Sequence, residues 1–99
     1  MNTDVDMAKQ AILDKLEAQM KTAEAELYML KARAETAKAN VEIKAITELL
    51  TTKLAIELKL QELKKAAGAQ WEHAKVDLEA RIADFEKSVK RMESKVKAS

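Results

Sequence analysis

Apolar side chains recur along this chain at steps of three and four residues almost from end to end. The row runs Leu13, Leu16, Met20, Ala23, Leu27, Leu30, Ala34, Ala37 and Val41, the spacing that keeps one face of an α-helix apolar and buries it against another helix. Two consecutive four-residue steps then lead through Ala45 to Leu49. The row resumes with Thr52 or Lys53, Ile56, Leu60, Leu63 and Ala67, and a second four-four step reaches Trp71. Ala74, Leu78, Ile82, Phe85, Val89, Met92 and Val96 complete it. Four extra residues in a heptad pattern read as a stutter, which unwinds a supercoil locally without breaking the helix.

Residues 43–63 add a second row: Ile43, Ile46, Leu50, Leu54 and Leu58. Neighbours such as Leu49 and Leu50 lie about 100° apart around a helix axis, so this segment is apolar over a wide arc and calls for two partners or one broad one. A bundle of three or, better, four helices around it is the natural solution. In the first third, by contrast, Ala23, Ala34 and Ala37 stand where large knobs would normally sit. Helices can approach closely there, but each layer buries little area.

Composition agrees with an all-helical chain. There is no proline, and Gly68 is the only glycine in 99 residues, which leaves little material for sheets and tight turns. Hydrophobic residues make up 47% of the chain, but many are alanines, so a private core is small and a second copy is the expected way to complete it. Lys64 and Lys65 ahead of Gly68 look like a helix C-terminus: cations at the negative end of the dipole and a glycine free to turn left-handed. The sequence therefore predicts one domain over 1–99, with a helix over about 5–66, a turn at 67–70 and a helix over about 70–97. Asn40, and after it Thr51 and Thr52, are weaker places for a break. The expected fold is an all-α antiparallel coiled-coil hairpin or helical bundle completed by self-association. Its interface would be formed by the large residues of both rows: Leu13, Leu16, Met20, Leu27, Leu30, Ile46, Leu49, Leu50, Leu54, Ile56, Leu60, Leu63, Trp71, Leu78, Ile82, Phe85, Val89 and Met92.

Three segments resemble a family of small, uncharacterised bacterial coiled-coil proteins. They are Lys15-Leu16-Glu17-Ala18-Gln19-Met20-Lys21, the run from Leu30 to Ala39, and Leu63 to Glu72. They are similar to the family's KLEAQL, LKAKAEKAKAE and ELKAASGEAWE stretches, which follow one another at similar distances. The Gly-x-x-Trp-Glu piece at 68–72 is the most specific, while Ala67 stands where the family often has serine. The resemblance implies a coiled coil over nearly the whole chain and implies no activity.

Chemistry-bearing residues are sparse. His73 is the only histidine and there is no cysteine, so no set of three or four zinc ligands can be read from the sequence. Ser88, Ser94 and Ser99 have no histidine near them in sequence and no nucleophile-elbow motif. Carboxylates at helical spacing, such as Glu17 with Lys21, Asp77 with Arg81, Glu86 with Lys90 and Glu93 with Lys97, read as solubilising i,i+4 support. No catalytic residue, metal, cofactor or small-molecule substrate is expected.

Formal net charge is +1, which draws the chain to neither nucleic acid nor membrane in general. The charges are unevenly placed. Residues 1–30 hold Asp4, Asp6, Asp14, Glu17, Glu24 and Glu26, and the far end holds Lys87, Lys90, Arg91, Lys95 and Lys97, so a folded-back pairing would bring opposite signs together. The basic end is too dilute for a nucleic-acid footprint. An alternative use is an amphipathic surface formed by Ile82 to Val96, laid on an anionic membrane or a hydrophobic granule. The polar N-terminus lacks the basic flank and apolar run of a signal peptide, and no stretch approaches about eighteen apolar residues. A cytoplasmic protein with a homo-oligomeric or other protein partner is the expectation.

Overall fold

The computed structural model describes residues 3–98, which form three helices: α1 (Thr3–Thr36), α2 (Asn40–Lys65) and α3 (Ala69–Ala98). Each packs against the other two. The chain measures 55 × 17 × 16 Å, about the length of α1 alone at a rise of 1.5 Å per residue. The fold is an all-α bundle of three helices that run up, down and up.

The chain turns twice, not once. The helix expected over about 5–66 ends at Thr36 and restarts at Asn40. The backbone of the turn explains how. Lys38 takes a left-handed φ of 56°, the Ala39 amide donates to the Ala34 carbonyl at 2.9 Å, and the Lys38 amide donates to the Glu35 carbonyl at 3.1 Å. Those two bonds form a Schellman motif, which satisfies carbonyls at the helix end and is usually built around glycine. A lysine in that position leaves no glycine signal to read. At the second turn α2 stops at Lys65, and Ala66 is extended with its amide donating to the Leu63 carbonyl. Gly68, with φ 59°, is then the entry to α3: its carbonyl accepts the Trp71 amide at 3.1 Å.

The two four-four steps accompany these reversals: Val41, Ala45 and Leu49 lie inside α2 just after the first turn, and Ala67 lies in the second, between α2 and α3. Within α1 the seam is an uninterrupted heptad row from Leu13 to Ala34, and in α2 it is Ile46, Leu49, Lys53, Ile56, Leu60 and Leu63. Leu49 is half-buried in it and the rest are buried. Ala37 and Val41, expected on the seam, sit at the turn and are exposed, Val41 by 78%. Of the alternatives Thr52 and Lys53, the structure buries Lys53. The α3 seam runs from Trp71 through Leu78, Ile82, Phe85, Val89 and Met92 to Val96, all buried.

Two reversals also set the ends of the chain apart. α3 runs parallel to α1, so the start of α1 and the basic end of α3 lie at opposite ends of the bundle, and the side chains of Asp4 and Asp6 lie outside the described residues. Of the expected attraction between the two segments, Glu26, late in α1, lies in the field of Lys90 and Lys97 on α3. Cross-helix ion pairs form between α1 and α2. The Lys64 ammonium lies 2.6 Å from Glu17, so Glu17 serves α2 and not its i,i+4 neighbour Lys21. The local pairs Asp77–Arg81 at 2.9 Å and Glu93–Lys97 at 3.2 Å are made as their spacing suggests.

Candidate interaction surface

Fifteen of the interface residues read from the sequence are buried inside the chain's own bundle: Leu13, Leu16, Met20, Leu27, Leu30, Ile46, Ile56, Leu60, Leu63, Trp71, Leu78, Ile82, Phe85, Val89 and Met92. Folding the chain back twice supplies α2 with its two partners from the same molecule. What remains is the outer part of α2. Leu50 is half-buried, while Leu54 and Leu58 are 57% and 68% exposed.

This row faces away from the core because Leu54 follows Lys53 by about 100° of helix, and Lys53 points between α1 and α2. Leu54, Glu57, Leu58 and Gln61 line a shallow depression. Glu57 and Gln61 are shared with the neighbouring groove between α1 and α2, whose other walls are Glu17, Met20, Lys21, Glu24 and Leu60. The apolar row therefore passes directly into a polar flank. Nearby threonines are quiet: the hydroxyls of Thr47 and Thr51 donate to the carbonyls of Ile43 and Thr47 at 2.9 and 3.3 Å. Their donors are used within the helix, as mid-helix threonines commonly do.

Lys53 is the buried charge beside this surface, only 8% exposed. Its ammonium lies 3.4 Å from Glu24 on α1 and 3.5 Å from Glu57, and 5.9 Å from the centre of the Tyr28 ring. Burial pulls its pKa down, but the hydrogen bond it donates to the Glu24 carboxylate and the charges of Glu57, Glu24 and Tyr28 more than reverse this, so it titrates above the ordinary lysine range. The cluster ties α1 to α2 at one register. At the other end of α1, the Lys9 ammonium sits 5.0 Å from the centre of the Trp71 ring, capping a buried indole by a cation–π contact. Trp71 thus closes the end of the core.

One pair could not be seen from the sequence. Glu26 on α1 is hydrogen-bonded to Glu93 on α3. That bond, then partial burial and the Glu93 charge, holds the Glu26 pKa above the ordinary carboxylate range. Glu93 is the member that ionises first, lowered by the same bond and by Lys97. The two residues are far apart in sequence and meet only because α1 and α3 run side by side.

His73 and the carboxylates around it are exposed, and among the described residues no group of three or more histidines, aspartates or glutamates could hold a metal. Among the same residues no helix is long and apolar enough to cross a membrane. The class that the fold defines is a small three-helix bundle, with an apolar row exposed on the outer side of α2 at Leu54 and Leu58. No family model, curated protein or solved structure matches the chain.

Proposed function

We propose that this protein is a non-enzymatic structural or protein-interaction module that self-associates. The observation that carries the reading is the outer row of α2, in which Leu54 and Leu58 stay in water beside half-buried Leu50, on a helix whose opposite side completes the core. Contiguous exposed leucines on a small domain mark a surface for a partner. The seam is spent on the chain's own core, so association uses this outer row. The α3 side chains Phe85, Val89, Met92 and Val96, which would lie on a lipid or granule surface, are buried in the bundle. That use would require α3 to leave the fold, so protein association is the better-supported reading.

Sedimentation equilibrium of the full chain over micromolar concentrations tests it. A concentration-dependent rise above 11.1 kDa is expected, and a strict monomer throughout the range overturns the self-association reading.

A further inference from the structure

We propose that the exposed row of α2 is the seam of a two-fold dimer, in which α2 packs antiparallel against α2 of a second copy with Leu54 at the axis. The inference rests on the self-association reading above and names its geometry.

The row itself has the right spacing. Thr47, Thr51, Leu54, Leu58, Gln61 and Lys65 follow one another in steps of four and three, the repeat of a two-helix seam. It is apolar in the middle and polar at its ends, so it suits a short contact centred on itself. A closed two-fold interface uses the same patch on both copies and needs that patch to be self-complementary. Reversing one α2 about Leu54 sets Leu50 against the partner helix's Leu58, and Thr47 against its Gln61. The back-bonded hydroxyls of Thr47 and Thr51 have their donors satisfied before they are covered, which lowers the desolvation cost.

The charges beside the row choose the occupant and its direction. The N-terminal half of α2 carries Lys44 and Glu48 on its outer side, and the C-terminal half carries Lys59 and Glu62. In the antiparallel register Lys44 comes within about 3 Å of axial offset from the second copy's Glu62, and Glu48 comes still closer in height to its Lys59. The two-fold axis makes each pair twice. A parallel pairing would instead set each charge beside its own copy. The Lys59–Glu62 pair within the helix, at 3.6 Å, is between exposed side chains and is free to exchange for the intermolecular contacts. Mixed signs also argue against an anionic lipid surface, which needs a basic border.

Charge reversal with rescue tests this, because Lys44 and Glu62 lie about 27 Å apart along one helix and cannot compensate each other within a monomer. Lys44→Glu and Glu62→Lys are each expected to weaken the dimer about tenfold, and the double variant to return to within about threefold of the starting affinity. Leu54→Asp is expected to abolish the dimer with helical circular dichroism unchanged, since the side chain is largely in water. Spin labels at position 44 of the full chain are expected about 30 Å apart or more across the dimer, whereas a parallel pair places them side by side. A dimer that survives Leu54→Asp, an absence of rescue, or a short 44–44 distance overturns this geometry and leaves self-association standing. A strict monomer overturns both, including the case in which the row is covered only by a different protein.

Discussion

The two sides of α2 are built from the same residue types and have opposite fates. Ile46, Ile56, Leu60 and Leu63 are buried between α1 and α3, while Leu54 and Leu58 are open to water and Leu50 lies at the edge. The difference comes from rotation about one helix axis and not from hydrophobicity. Lys53, a charged residue, is more buried than Leu54 beside it, because its position points at α1, where Glu24 receives its ammonium together with Glu57 of α2 itself. A leucine in a sequence therefore states a capacity for burial. The neighbouring helices decide whether that capacity is used inside the chain.

Truncation on each side should separate the two most sharply. Leu60→Ala is expected to destabilise the bundle by about 2–5 kcal/mol in chemical denaturation. Leu54→Ala should change the stability of the monomer by less than about 0.5 kcal/mol. If Leu54→Ala is costly only at high protein concentration, the outer side is a subunit contact. Equal costs on both sides at low concentration would erase the distinction.

The charged boundary between the two sides comes next. Glu24→Ala should cost about 1 kcal/mol, because Lys53 keeps only Glu57. The stabilisation that Lys53 draws from its carboxylates is present at neutral pH and is lost as pH rises through its raised pKa, since the folded state holds that proton more tightly than the unfolded chain. A denaturation series into the alkaline range should therefore show a smaller loss for Glu24→Ala than for the unaltered protein.

The turns at the two ends of α2 set up a smaller test. Lys38→Gly relieves a left-handed lysine and should stabilise the bundle by about 0.5–1 kcal/mol. Gly68→Ala should destabilise it by about 1 kcal/mol through the backbone alone, because a Cβ there meets nothing within 4 Å. Thermal unfolding reads both, and a stabilised Gly68→Ala would show that its left-handed conformation is dispensable.

The smallest effect is expected at Glu26. Its raised pKa means that the folded state keeps the proton as pH rises from the acid side, so stability declines as Glu26 is forced to ionise beside Glu93. Glu26→Gln should match the unaltered protein in acid and become slightly the more stable of the two towards neutral pH. A melting-temperature difference that stays flat across that range would dissociate the pair.

Much of this architecture was legible in the residues. The three- and four-residue spacing, the absence of proline and the Lys-Lys-Ala-Ala-Gly ending point to long helices and to a reversal near Gly68, and fifteen of the eighteen large residues assigned to the seam are buried. The reversal at 37–39 was legible only as a weaker break at Asn40, because Lys38 occupies a position that glycine normally marks. Its other trace was the four-four step through Ala45, which has the same appearance whether a helix is locally unwound or the chain turns. The Glu26–Glu93 contact left no trace, since it depends on α1 and α3 running parallel after two reversals.

Local periodicity and helix propensity are properties of neighbouring residues, so the sequence by itself determined that the chain is helical and which faces could be buried. Which apolar face is covered from within, which lysine lies in the seam and which leucines are left exposed depend on where the chain turns and how three helices rotate against one another. Those are long-range choices, made by the competition of all three faces for a single core, and only the tertiary structure decided them.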